Sequence, residues 1–335
     1  MGIASAGTVT ASRFDYYPVP PSRPVPDLGA DLLHGFALSP RRLPPKYFYD
    51  AVGSQLFDRI CDTPEYYPTR SEAALLAEHA GELLALARPR HLIELGSGSS
   101  RKTRLLLQAA GQLDLELVYW PFDVCHDMLE RTGRALVEEF PGLRVRALGG
   151  DYMGGLTHLP RPDGRRLFVF LGGTIGNFDE LETQRFLGDV RAQMQPEDRL
   201  LLGADRAKDA AVLEAAYNDA AGVTAAFNLN LLRVINRELR ADFDLDGFRH
   251  RALFNRAESR IEMHLVARTR QQVLVAALER SYRFEPGETI LTEISRKFTP
   301  AMLEAMLARA GFDIERHIEG GERLFSLLLV RPAGS

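Results

Sequence analysis

The chain has 335 residues, 45% of them apolar, and a formal net charge of −4. That is enough chain for about two domains with a sizeable core, and the mildly acidic balance, with no basic run, excludes a nucleic-acid footprint. Two cysteines, Cys61 and Cys125, make neither a disulfide framework nor a metal-ligand pattern, and no segment has the apolar length of a membrane span or a signal peptide. The expected partner is a small molecule, and the expected protein is cytoplasmic and monomeric.

Residues 1–18 are small and polar and read as a flexible leader. The proline-rich run 18–29 should stay extended on the surface, and a short helix is expected over 31–38. The block LPPKYFYDAVGSQLFDRICDTPEYYPTRSE (43–72) gathers Tyr47, Phe48, Tyr49, Phe57, Tyr66 and Tyr67. Each alone suits ordinary packing, whereas together they are able to wall a pocket. From Ser71 the leucines fall at helical spacing.

Strands at 91–95, 117–123, 144–148, 167–171 and 199–203 then alternate with helices at 102–110 and 125–140. A further helix is opened by Asp179 with Glu182 three residues on, a capping-box pattern. Such alternation predicts an α/β fold with a parallel, Rossmann-like sheet and helices on both faces. Ligands of open α/β sheets collect at the carboxyl ends of the strands.

The first strand ends in ELGSGSSRKT, a turn through Gly96, Ser97 and Gly98 into a helix start. Arg101 stands where the dinucleotide fingerprint and the phosphate loop each need glycine. The first motif of a class I methyltransferase fits without departure, with the turn lying under the methionine part of S-adenosylmethionine (SAM). Asp123 ends the second strand, where a carboxylate accepts from ribose hydroxyls. Asp151 and Tyr152 follow the third, where an acid accepts from the adenine amino group. After the fourth comes GGTIGN, from Gly172 to Asn177; Asn177 is either a helix cap or an amide that orients a substrate amine and carboxylate.

Residues 207–298 break the pattern. One long helix over 208–239 carries Tyr217, Asn228, Asn230 and Asn236, and strands are expected at 260–267, 272–278 and 288–298. Some ninety residues are too many for a loop, so the region reads as an inserted lobe. A last helix at 299–311 and a hairpin of 312–318 with 324–330 close the chain.

The runs LPPKYFYDAVGSQLFDRI, PEYYPTRSE, ELGSGSSRKT, FLGGTIGNF, AAYNDAAGVTAAFNLNLL, ESRIEMHL and TEISRKF together resemble the histidine-specific Nα-methyltransferases of ergothioneine biosynthesis. These enzymes use SAM to convert histidine to its trimethylated betaine, hercynine. The resemblance implies a SAM-binding methyltransferase part (71–207 plus 298–335) and a substrate-binding part (19–70 plus 208–297). It assigns the cofactor to Gly96, Ser97, Gly98, Lys102, Asp123, Asp151, Tyr152 and Gly172. It assigns the amino acid's amine and carboxylate to Tyr49, Tyr66, Asn177 and Tyr217, with Tyr66 and Tyr67 both candidates for their position, and gives Phe57 and Met263 a place in the substrate pocket. Imidazole recognition falls to Glu293 and Ser295, which period two places on one strand face. Tyr49, Tyr66 and Asn177 are the expected catalytic residues. Two alternatives remain: an Nα-methyltransferase of another aromatic amino acid such as tryptophan, and a non-catalytic SAM-binding regulatory protein.

Overall fold

The computed structural model describes residues 12–320 and 322–334. In chain order the strands are β1 (Phe14–Pro18), β2 (Arg41–Arg42), β3 (His91–Leu95), β4 (Val118–Asp123), β5 (Arg144–Gly149), β6 (Arg166–Phe170) and β7 (Arg199–Asp205). They continue as β8 (Phe248–Asn255), β9 (Arg260–Ala267), β10 (Gln271–Val275), β11 (Arg280–Phe284), β12 (Thr289–Arg296), β13 (Phe312–Glu319) and β14 (Phe325–Pro332).

The main sheet has the order β1-β5-β4-β3-β6-β7-β14-β13. It is parallel from β1 to β7 and closes with the antiparallel β14 and β13. Strands β3 and β6 are buried along their whole length, as expected where helices cover both faces. The helix Glu180–Gln193 opens on the capping box, with Asp179 and Glu182 each bonded to the other's backbone.

The expected flexible leader is corrected over residues 14–18, which add β1 to the sheet edge; residues 1–11 lie outside the described residues. The cause is aromatic: the Phe14 ring seats against Gly133, where no side chain competes, and Arg134 lies 5.0 Å from the ring centroid. The first helix runs Leu28–Phe36, starting three residues before the expected position because Asp27 caps it there.

The inserted region forms the hairpin β10-β11 and a second sheet, β2-β12-β9-β8, in which β2 comes from the N-terminal segment and pairs in parallel with β12. The apolar interior around them joins residues of 28–67 to residues of 213–290, while the main sheet packs separately. Val19, which the sequence reading grouped with the substrate-binding part, packs instead with Phe122 and Leu156 under the main sheet. The single helix expected over 208–239 is two, Ala210–Ala216 and Val223–Leu239. Gly222 takes φ +71°, and the Asp219 carboxylate accepts from the N–H groups of Val223 and Thr224 at 2.8 and 2.7 Å, so a new helix starts there.

The two sheets meet along one stretch of chain. β12 runs antiparallel to β9 and leads straight to Phe298, whose N–H donates to Asp205 O at the end of β7 (2.9 Å) and whose carbonyl accepts from Ala207 N (3.0 Å).

Candidate active site

The glycine turn is built as its residues require. Gly96 and Gly98 hold φ of +73° and +49°, in the region that side chains disfavour. Gly96 N donates to Phe122 O (2.8 Å) and Gly98 N to Asp123 Oδ2 (2.8 Å), which ties the turn to the end of β4. The other oxygen of Asp123 accepts from Cys125 N (2.9 Å), and burial raises its pKa despite these bonds. Each carboxylate oxygen has a second lone pair for a ligand hydroxyl. Asp151 caps the short helix after β5 by accepting from Met153 N (2.8 Å). The Tyr152 ring packs between Phe122, Phe170 and Phe186 and comes up against Gly96.

This corner fits an adenosyl cofactor on two observations. A side chain at Gly98 would meet only open space, and the buried Ser97 hydroxyl has no hydrogen-bond partner among the described residues. A buried hydroxyl is normally paired, so an occupant is the natural partner.

Lys102 and Gly172, expected at the cofactor, are joined by a residue that sequence reasoning missed. Glu72, fully buried on the helix Tyr67–Ala87, pairs with the Lys102 ammonium and accepts from Gly172 N at 2.9 Å on both oxygens. Glu94, at the base of the turn, is also buried; it accepts from Thr103 Oγ1 (2.7 Å) and from Tyr119, and burial lifts its pKa to about 7.

The aromatic block forms one wall. Phe57 lies 5.6 Å from the Tyr49 ring and 6.3 Å from Tyr66, and Tyr66 lies 6.0 Å from Tyr217. Tyr66 and Tyr67 are thereby told apart. The Tyr67 hydroxyl turns away to Asp205, donating at 2.8 Å to the carboxylate, so Tyr66 is the one in the aromatic row. Tyr49 feels the charge of the Glu293 carboxylate, which helps to raise its pKa. Burial raises the pKa of Tyr66 and Tyr217, and Tyr49, more than a third exposed, is raised by its desolvated surroundings and the Glu293 charge, so all three are neutral phenols.

The facing wall is β12. A bulge between Leu291 and Glu293 leaves Thr292 buried, donating to Asn228 Oδ1 (2.7 Å). Asn228 donates in turn to His250 Nδ1 (2.9 Å), and His250 Nε2 donates to Tyr217 O (2.9 Å). Beyond the bulge, Glu293 pairs with Met263 and Ser295 with Ile261, so Glu293 and Ser295 share a face. Glu293 lies deep in the protein yet keeps contact with solvent, as a group lining a cleft does. Burial pushes its carboxyl up to about 7, against the pull of Lys297 and of the Asn177 amide. Asn177 is no helix cap: its Nδ2 donates to Ile294 O (2.9 Å), bringing the end of β6 against β12.

Lys297, two residues beyond Ser295, was also missed. It is fully buried and donates to Ser295 Oγ (2.8 Å), Tyr217 Oη (2.9 Å) and Asp205 Oδ2 (2.7 Å). The period-two spacing from Glu293 was the available signal.

A family model for SAM-dependent, histidine-specific methyltransferases matches residues 28–332. The chain belongs to that family. Histidine N-alpha-methyltransferases of Mycolicibacterium smegmatis and Mycobacterium tuberculosis are 51% and 50% identical to it over 284 residues, in each case 85% of this chain and 88% of the relative. The ergothioneine biosynthesis protein 1 of Neurospora crassa is 31% identical over 292 residues, 82% of this chain but 31% of the longer fungal protein. The matched residues include every strand from β2 to β14.

Proposed function

We propose that this protein transfers three methyl groups in succession from SAM to the α-amino nitrogen of L-histidine, giving hercynine for ergothioneine biosynthesis. The observation that carries the reading is the pairing of Glu293 and Ser295 on one face of β12, opposite aromatic side chains and beside the turn that holds Asn177. A carboxylate and a hydroxyl suit the two nitrogens of an imidazole, and buried polar groups left unpaired by another side chain discriminate against it. In this reading Met263 and Phe57 line the pocket, and Tyr49, Tyr66, Asn177 and Tyr217 hold the amine and carboxylate.

Gly96, Ser97 and Gly98 would hold the methionine part of the cofactor, Asp123 the ribose, and Asp151 with Tyr152 the adenine, with Lys102 and Gly172 completing the corner. The cofactor supplies an electrophilic methyl on a sulfonium. The protein's task is to place a neutral amine in line with it. Histidine's amine must shed a proton before each transfer. As neutral phenols, Tyr49 and Tyr66 orient the nitrogen and pass that proton to water rather than taking it as phenolates. We also infer a monomer located in the cytoplasm.

Mass spectrometry of the purified protein with SAM and each of the twenty amino acids tests this. The expected result is histidine alone advancing to a trimethylated product. Methylation of a different amino acid would overturn the specificity, and no methylation of any would favour the regulatory alternative.

A further inference from the structure

A buried ammonium is tolerated only when each of its protons finds an acceptor. Lys297 meets that condition with Asp205, Tyr217 and Ser295. Yet Asp205 already has a cation in Lys208, whose Nζ lies 2.6 Å from Oδ1, and a phenol in Tyr67. Lys297 thus shares the neutralisation of Asp205 with Lys208, and its other two bonds point to a second role.

Those bonds fix hydroxyl directions. Tyr217 Oη and Ser295 Oγ are 2.8 Å apart, close enough that one donates to the other. A phenol is the stronger donor and the weaker acceptor, so Tyr217 donates. Ser295 Oγ then accepts twice, from Tyr217 and from Lys297, and both of its lone pairs are used. Its own hydrogen is the only group it has left for a ligand. Glu293, two residues before it on the same face, accepts when ionised.

We infer that Lys297 is a positioning residue that makes Ser295 an obligate donor, so that the pocket reads one neutral imidazole tautomer: N–H toward Glu293, bare nitrogen toward Ser295. This rests on the histidine reading above. An imidazolium would set a second N–H against the Ser295 hydrogen, and a ring without nitrogen would leave both groups unpaired.

The test compares dissociation constants of histidine and phenylalanine, by calorimetry with the cofactor's demethylated product present, for wild type, Lys297→Met, Ser295→Ala and the double variant. The expected result is a tenfold or greater weakening of histidine in Lys297→Met with phenylalanine changed less than threefold. The double variant should discriminate no worse than Ser295→Ala alone. Equal weakening of both amino acids, or additive losses in the double variant, would overturn the inference. If Lys297→Met does not fold, the wild type decides: the nitrogen NMR spectrum of bound, ring-labelled histidine should show one protonated and one bare nitrogen, and two protonated nitrogens would overturn it. Wild type that neither binds nor methylates histidine would instead bring down the functional reading itself.

Discussion

Asn177 Nδ2 donates to the carbonyl of Ile294 across 2.9 Å, so the turn after β6 is fastened to the strand segment that carries Glu293 and Ser295. Asn177→Ala removes this fastening and the amide that faces the Glu293 carboxyl. The expected outcome is a roughly hundredfold fall in kcat/KM for histidine, because small misplacements of a reacting amine cost that much, with SAM affinity within about threefold. Steady-state kinetics and SAM titration check both parts; an equal loss in the two would mean that Asn177 serves the fold rather than the substrate.

Glu293→Ala takes away the acceptor for an imidazole N–H. Histidine KM should rise by about two orders of magnitude, the scale on which a site rejects a ligand it no longer pairs with, while the SAM dissociation constant stays near wild type. Comparable weakening of histidine and SAM would count against imidazole recognition at this position.

Glu72→Ala leaves the Lys102 ammonium and the Gly172 N–H without their buried acceptor. Removing one partner of a buried pair costs about 3 kcal/mol, so a clear drop in melting temperature is expected, together with SAM binding weaker by roughly tenfold. Calorimetry reads both quantities. Wild-type SAM affinity in a destabilised variant would separate Lys102 from the cofactor.

Glu94 and Glu293 are both raised to about 7 by burial, so between about 4.5 and 7 each holds a proton in the folded protein that it has lost in the unfolded chain. The stability these two carboxyls contribute must then fall as pH rises through that window, the reverse of a salt-bridged carboxylate and opposite in sign to the histidines His91, His250, His264 and His317, whose pKa burial lowers. In melts of the ligand-free protein, Glu293→Gln should flatten part of this slope. An unchanged slope in the variant would place the Glu293 pKa back in the ordinary carboxylate range.

The main sheet and the glycine turn were legible because their signals are local: a short apolar run, then glycines within three residues, then a helix start. Asp123 was legible for the same reason, at the end of its own strand. The cluster of Tyr67, Asp205, Lys208 and Lys297 was not, since the Lys297–Asp205 bond spans 92 positions and the Tyr67–Asp205 bond 138. A lysine in a strand reads as a surface residue until its burial is known. Glu72 was hidden likewise, one acid among many on a helix, and only the fold brings it to Lys102. The break between the helices Ala210–Ala216 and Val223–Leu239 was written in Asp219 and Gly222, but the apolar spacing on either side ran through it.

The passage of β12 into Phe298, bonded there to the end of β7, gives the site a built-in ruler. From Glu293 to Phe298 the backbone is extended, about 16 Å at roughly 3.3 Å per residue. The distance between the ring end of the pocket and the carboxyl end of β7 is thus set by covalent spacing, independent of how the two sheets dock. A homologue of histidine with one more methylene could keep its ring in place only by carrying its amine past the point of transfer.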